Sequence, residues 1–487
     1  MQTSRTKYTN TTSRQTLENT EQHYKKMTET PVAKLVVKLG IPTTVAMLIT
    51  SIYNMVDTYF VGTLGETPQG AIGILFTLQS IIQAVAFMLG HGSGTYVAKE
   101  LAEKDNGKAS VYVSTAFFLG GALGLLFAAI GLCFLTPFMR LLGSTETILP
   151  YAKDYGMWVL ISCPFLICSL VLNNNLRYEG KALFAMFGLG AGGLLNMFGD
   201  WLFVAKFHMG VFGAGMSTAI SQMVSFVILL VLYFKTAQSK ISIRYVSTNA
   251  KHYLQIFRNG LPSFIRQTLN SVSGGLLNRL AGYYGGLWGK ADQTIAAMSI
   301  VNRVSNFVMC VGMGISQGLQ PVASFNYQAK QYTRVKQALR VTIVICFGCV
   351  AVLAVPTMIF PQTIVRLFQK QVDVVEIAVP ALRYAMVGLL FMPLFIPVNM
   401  MFQSIRKAGI ASFLALLRSG LAFIPLLFLL TSLWQILGIQ LAQPVSDVIT
   451  ALLNVPFLIY FLKSTPDTPA NTSAATYGNE NTANNRN

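Results

Sequence analysis

The sequence predicts an all-α polytopic membrane protein, with twelve transmembrane helices in two pseudo-symmetric six-helix bundles. Three observations carry that prediction. First, 53% of the 487 residues are hydrophobic, only 11% are charged, and the mean hydropathy is +0.53. That is more apolar surface than one soluble core of this size can hide. Second, the apolar residues fall in runs of about twenty, the length that crosses a hydrocarbon core at about 1.5 Å per residue. Third, short patterns recur at a nearly constant separation, as from Pro42 to Pro262, a step of 220 residues.

Taken in order, residues 1–30 are polar, rich in Thr and Gln, and lack the short apolar core of a signal peptide. They are read as a cytoplasmic segment, and insertion is left to the first helix. Apolar spans between polar breaks then place helices near 33–62, 70–98, 111–136, 150–172, 182–205, 210–234, 253–285, 294–318, 337–360, 375–402, 410–433 and 439–462. The first six form an N-lobe over 31–234 and the last six a C-lobe over 259–463, joined by a charged linker over 235–258. The tail 464–487 turns to Thr, Asn, Ala and Pro, lacks the apolar content to fold, and is expected to be disordered.

The repeat fixes the relation between the lobes. Gly40-Ile-Pro42 in the first helix is echoed by Gly260-Leu-Pro262 in the seventh. Gly90-x-Gly92-x-Gly94 in the second is echoed by Gly312-x-Gly314 and Gly318 in the eighth, and Arg177-x-x-Gly180 by Arg406-x-x-Gly409. An even number of helices separates each pair, so the halves share one orientation about an axis along the membrane normal.

The net charge of +18 is spread through short loops and the N-terminal segment, which fits topology better than a nucleic-acid partner. One set of alternate loops is richer in Lys and Arg, including Lys99, Lys104, Lys108, Arg177, Lys181, Lys330, Arg334, Arg406 and Lys407. That set is assigned to the cytoplasm with both termini, in a multi-pass protein of the cell (inner) membrane. All six cysteines lie in apolar segments. The pair Cys346-x-x-Cys349 lacks the second pair and polar shell of a metal site, so small residues in a membrane helix are the better description. Glycines in the second, fifth and sixth helices are assigned to close packing, and methionines and aromatics in part to an adaptable cavity.

Charge inside a membrane helix is costly and is the natural place to look for function. Asp57 lies in the first helix and Asp200 in the fifth, four residues after Asn196 and on the same helical face. Two carboxylates, an amide and nearby hydroxyls make an oxygen cluster suited to Na⁺ or a proton. The competing possibility is that the aspartates merely pair with a membrane arginine. Arg279, Arg303, Arg383, Arg418 and Asp447 are the other charges, mostly placed nearer helix ends. Pro42, fifteen residues before Asp57, removes a backbone hydrogen bond and permits a bend. No nucleophile motif or phosphate loop is present, so no enzyme and no cofactor is expected.

With Pro42 and Asp57 at that spacing, Tyr53-Asn54-x-x-Asp57 running to Gly62, Arg177-x-Glu179-Gly180 and Asn196-x-x-x-Asp200, the chain resembles the MATE (multidrug and toxic compound extrusion) family over 31–462. Gly318-Leu-Gln-Pro321 and Ser324-Phe-Asn326-Tyr327 add to the likeness. The resemblance implies an antiporter that exports organic cations or amphipathic drugs against Na⁺ or H⁺. It also implies a cation site at Asp57, Tyr155, Asn196, Asp200 and Thr218, with Na⁺ possible at Asp57, Asn196, Asp200 and Thr218, and a conformational hinge at Pro42. The chain departs from one branch of the family in having no acid within the seventh or tenth helix, Asp373 and Glu376 lying at the entry to the latter. The expected partners are small cationic or amphipathic substrates and membrane lipid, not nucleic acid, with the chain acting as a monomer. The alternatives are a flippase for a lipid-linked substrate, which would need a large cationic cleft, and a channel, which would carry only downhill flux.

Overall fold

The computed structural model of the chain describes residue 18 and residues 20–466, and all regular structure among them is helical. The membrane helices are α1 Val32–Gly62, α2 Glu66–Ala102, α3 Asn106–Cys133, α4 Leu149–Tyr178, α5 Ala182–Asp200 and α6 Gly210–Thr236. The second set is α7 Ala250–Gly286, α8 Ala291–Gln328, α9 Tyr332–Ile359, and α10 in two pieces, Val372–Leu389 and Ile396–Ser404. It closes with α11 over 408–434 and α12 over 436–464. The expected order and number of helices are therefore present. The disordered tail expected over 464–487 lies, from 467 on, outside the described residues, as do residues 1–17 and 19.

Ten runs among the described residues are long and apolar enough to cross a membrane. Two features raise the count to twelve. The run Ala408–Ser464 folds back on itself at Gln435, whose backbone is left-handed (φ 50°, ψ −118°). Gly438 makes that reversal possible, because a methyl group there would overlap the Leu430 carbonyl. The other addition is α7, too polar along one side to pass as apolar but 37 residues long and packed among the rest. α10 is interrupted where Pro393 and Pro397 cannot supply helical N–H groups.

Between α6 and α7 the connecting stretch is 237–249, with one 3-10 turn at Ile243–Tyr245, so Ala250 to Arg258, assigned to the linker from its charge, is the first part of α7. The linker is pinned to the N-lobe. The buried Glu179 carboxylate, at the α4–α5 turn, accepts from the backbone N–H groups of Gln238 (2.7 Å) and Ser239 (3.2 Å), the Ser239 hydroxyl, and Tyr233 Oη (3.3 Å). The Lys240, Ser242 and Ser247 amides donate to Ser110, Ser114 and Thr115 of α3.

The repeated glycine motifs explain how the lobes meet. The Gly-x-Pro segment of each lobe packs on the glycine run of the other. A methyl at Gly92 of α2 would overlap the Ile256 carbonyl of α7, and one at Gly260 would overlap the Met88 carbonyl of α2. Likewise Gly314 and Gly318 of α8 abut the Thr44 and Gly40 backbone of α1. These four helices cross backbone to backbone at the end that carries the linker. One buried apolar cluster is continuous there from Leu35 and Leu89 in the N-lobe to Leu319, Phe325 and Phe402 in the C-lobe. The second cluster, including Leu277, Val301, Leu382 and Phe423, belongs to the C-lobe alone. The lobes are thus sealed at the linker end and part toward the other.

A helix over 20–29 sits across that seal. Met27 is fully buried, His23 packs edge-on against Phe325, and Lys104 lies over the Tyr24 ring. Asn326 Nδ2 donates to the Met27 carbonyl (3.1 Å), Arg334 to the Thr30 carbonyl (2.6 Å), and Asn106 to Thr20 (3.0 Å). Part of the segment read as a polar cytoplasmic leader is therefore packed against both lobes.

Candidate ion and substrate sites

Four of the five candidate cation-site residues form one hydrogen-bonded chain across α1, α4, α5 and α6. The Asp57 carboxylate can only accept, so Tyr155 Oη donates to Asp57 Oδ2 (3.0 Å). With its proton spent, Tyr155 accepts from Thr218 Oγ1 (3.0 Å), and Thr218 in turn accepts from Asn196 Nδ2 (3.2 Å). Asp200 lies one turn beyond Asn196 on α5, fully buried beside Ser217. A π-helical turn, Trp201–Lys206, begins immediately after it. Such turns widen a helix locally and recur at functional sites.

What the chain leaves over defines the site. Asp57 Oδ1, Asn196 Oδ1 and both oxygens of Asp200 are buried with no hydrogen-bond donor in bonding geometry. No lysine or arginine pairs with either aspartate among the described residues. The competing possibility from sequence, a structural ion pair with a membrane arginine, is not what the fold builds. Ser217 is the member sequence reasoning missed. Its hydroxyl donates to the Asn196 carbonyl (3.0 Å) and accepts from Asn196 Nδ2 (3.3 Å), fixing the amide so that Oδ1 is the free atom. The signal was there in its position next to Thr218.

Pro42 is buried within α1, which runs unbroken through it. It lies between Gly40 and Thr44, the residues of α1 that touch α8, so it sits in the seal rather than at the ion site.

Between the lobes is a cleft of ≈ 580 Å³. Asn196, Thr218, Tyr53 and Asn54 bring it up to the oxygen cluster, while Asp57 and Asp200 stay behind that wall. Met47, Met186, Met309, Met313, Phe76 and Phe423 supply apolar lining. The floor, at the linker end, is Arg177, whose guanidinium bonds Gln317, His91 and Asn174. The wall facing Asn196 carries Arg266, Asn270, Arg303, Arg418 and Asp447. Arg418, inside the π-helical segment Leu417–Ala422 of α11, pairs with Asp447 at 2.9 Å. Arg303, Arg418 and Asp447, expected near helix ends, instead line the cleft.

Two repeated six-helix lobes, sealed at one end around a cleft that opens toward the other, with a charged cluster buried beside it, define a multi-pass membrane transporter rather than an enzyme. The chain belongs to the MatE family, whose model matches residues 42–202 and 262–429. The multidrug export protein MepA of Staphylococcus haemolyticus (strain JCSC1435) is 27% identical over 439 residues, 90% of this chain and 95% of that protein. Among solved structures, a MATE protein in complex with MaL6 superposes with a TM-score of 0.85 at 22% identity, covering 90% of this chain and 98% of the other. The outward-facing form of a multidrug resistance MATE family transporter of the MOP superfamily gives 0.83, with the same identity and coverage. The fold and the multidrug efflux family are thereby established.

Proposed function

We propose that the protein is a Na⁺-coupled antiporter that exports drug-sized amphipathic molecules across the cell membrane by alternating access. The observation that supports this reading is the set of four donor-less oxygens at Asp57, Asn196 and Asp200. Two ionised carboxylates held in a membrane interior without a basic partner are strongly destabilised unless a cation joins them. Two protons would also neutralise the carboxylates, each carboxyl O–H then donating to a neighbouring oxygen, and separate Na⁺ and pH gradients distinguish the two. A single Na⁺ is the simpler occupant, because hard cations take oxygen ligands from carboxylates and amides alike. Tyr155 and Thr218 hold Asp57 and Asn196 in place, and Pro42 lets α1 bend at the seal.

In this reading the linker end, rich in Lys and Arg, faces the cytoplasm with both termini. The conformation described above is then the outward-open one, which releases substrate and takes up Na⁺. MepA's name as a multidrug export protein supports the direction of transport. The N-lobe over 31–234 and the C-lobe over 259–463 rock about the α1–α8 and α2–α7 contacts.

The test is reconstitution in vesicles with Na⁺ and pH gradients imposed separately, while fluorescent amphipathic compounds of both charge signs are followed. A Na⁺ gradient alone should drive uphill movement, and Asp57→Asn or Asp200→Asn should abolish it without loss of folded protein. Driving by a pH gradient alone would assign the cluster to protons, and full Na⁺-driven transport by Asp57→Asn would remove the site assignment.

A further inference from the structure

The charge on the cleft wall is the feature that the ion site leaves unexplained. Five charged side chains line the cleft, Arg177, Arg266, Arg303, Arg418 and Asp447. Among the described residues only Arg418 has a carboxylate partner, Asp447 at 2.9 Å, and that carboxylate also accepts from Gln443. Arg266 bonds only neutral oxygens, Asn399 Oδ1 at 3.2 Å and Ser263 Oγ at 3.3 Å. Arg177 on the floor bonds only neutral groups, and its Nε has no partner. Among the described residues Arg303 makes no hydrogen bond or ion pair, and it stands exposed in the cleft. Three arginines are therefore uncompensated inside a cavity walled by membrane helices. The N-lobe aspartates do not offset them at the cleft surface, because neither lines it.

Guanidinium groups with no carboxylate partner in a cleft walled by membrane helices are natural docking points for an anion. A guanidinium fork also matches carboxylate and phosphate geometry. Beside them Met309, Met313, Leu277 and Phe423 give an apolar surface, and ≈ 580 Å³ is drug-sized.

We propose that the C-lobe wall, through Arg266 and Arg303, is the headgroup site for an amphipathic organic anion or zwitterion, whose carboxylate, phosphate or sulfonate docks there while its apolar body lies along Met309, Met313 and Phe423. This rests on the transporter reading above and names its substrate class, which differs from the organic cations expected from the family resemblance. Arg418 is held by Asp447 and acts as a positioning residue. The shared chemistry covers two sources, a soluble amphipathic acid and an anionic lipid headgroup entering from the bilayer.

The experiment uses the full chain in phosphatidylcholine nanodiscs and three dansyl probes of similar size: dansylglycine, its methyl ester and dansylcadaverine. Dansylglycine should bind at least tenfold more tightly than the ester, and dansylcadaverine most weakly. Arg303→Gln and Arg266→Gln should each weaken dansylglycine by fivefold or more and leave the ester within twofold. Arg303 has no partner among the described residues, so its replacement should leave the fold intact, and Arg303→Glu should shift preference toward dansylcadaverine. Competition by added phosphatidylglycerol would assign the same arginines to a lipid headgroup, and its absence to a soluble acid. Tighter binding of dansylcadaverine than dansylglycine by the unaltered protein, or equal losses of acid and ester in the arginine variants, would overturn the proposal. The same probes followed in Na⁺-loaded vesicles separate the two readings. Charge-selective binding without Na⁺-driven movement would overturn antiport and leave the anion site standing.

Discussion

Replacing Gly92 with alanine tests whether the glycine motifs hold the seal between the lobes. A β-carbon there overlaps the Ile256 carbonyl and reaches to 3.2 Å from the Gly260 nitrogen, so its neighbours are backbone atoms that no rotamer change can move aside. The two helices must separate, by an amount on the order of the overlap, and overpacking of this kind costs about 1–3 kcal/mol. That penalty exists only while the linker end is closed. The equilibrium therefore moves toward the form open at that end by the same amount, roughly 5- to 150-fold. Spin labels on a cysteine-free background at Lys108 of α3 and Gly409 of α11 would report it, both positions being exposed and Gly409 having nothing within 4 Å of an added Cβ. Gly92→Ala should populate a longer interlobe distance by pulsed EPR, while Gly274→Ala, whose added methyl meets nothing, should not. A folded Gly92→Ala protein with an unchanged distance distribution would refute the reasoning, because the seal would then relax without parting the lobes.

Two further predictions concern stability. Burial, with Lys181 and Lys26 adding like charge, pushes the His23 imidazole down to about 3, so the docked helix over 20–29 holds it neutral. Docking should be at full strength above the undocked value near 6.5 and weaken as pH falls toward 3, by about 1.4 kcal/mol per pH unit. Hydrogen exchange of residues 20–29, corrected for intrinsic rates, measures this, and a His23→Gln variant that kept the same pH slope would contradict it. Separately, Asp447→Asn leaves Arg418 without its carboxylate in the membrane interior and should lower stability by about 3–5 kcal/mol, read as a fall in Tm. The double change Arg418→Met with Asp447→Leu should recover much of that loss, and a double variant no better than the single would count against an uncompensated charge as the cause.

How much of this was legible in the sequence follows from how local each signal is. Helix positions are visible because a membrane helix carries its own signature in twenty successive residues, and only α7 and the α11–α12 reversal blur it. α7 is blurred because one side faces the cleft with Arg266, Gln267 and Asn270, and the reversal because a single left-handed residue, Gln435, does the work of a loop. Asp57, Asn196 and Asp200 stand out as polar atoms in apolar surroundings, whereas Ser217 does not, since hydroxyls are ordinary in membrane helices. The arginine wall was legible only as separate residues. Arg266, Arg303 and Arg418 lie on three helices, and their meeting is a property of packing alone. The same holds for 20–29, whose polar composition hides the apolar side built from Met27, His23 and Tyr24.

The lobes share a backbone plan, but their charges are opposite, and this constrains how exchange can work. At the position of Asp57, counted from its Gly-x-Pro, α7 carries Leu277, buried in the C-lobe core, while the C-lobe supplies the cationic wall. On the proposed reading, an anion on that wall and Na⁺ behind Asn196 would attract each other, by about 1.7 kcal/mol for unit charges roughly 10 Å apart at an effective dielectric near 20. Attraction favours joint occupancy, which is the opposite of what exchange requires. The negative coupling must then come from shape. α1 is the element able to carry it, because one helix holds Asp57 in the ion cluster, Met47, Tyr53 and Asn54 on the cleft wall, and Gly40 and Thr44 in the seal. On that reading, an ion that drew Asp57 toward Asp200 would displace the wall that substrate leans on and, through Pro42, strain the same contacts that keep the linker end shut. Exchange through a bending helix is insensitive to the sign of the cargo, so one family fold can keep its ion switch while the opposite wall is free to change its charge.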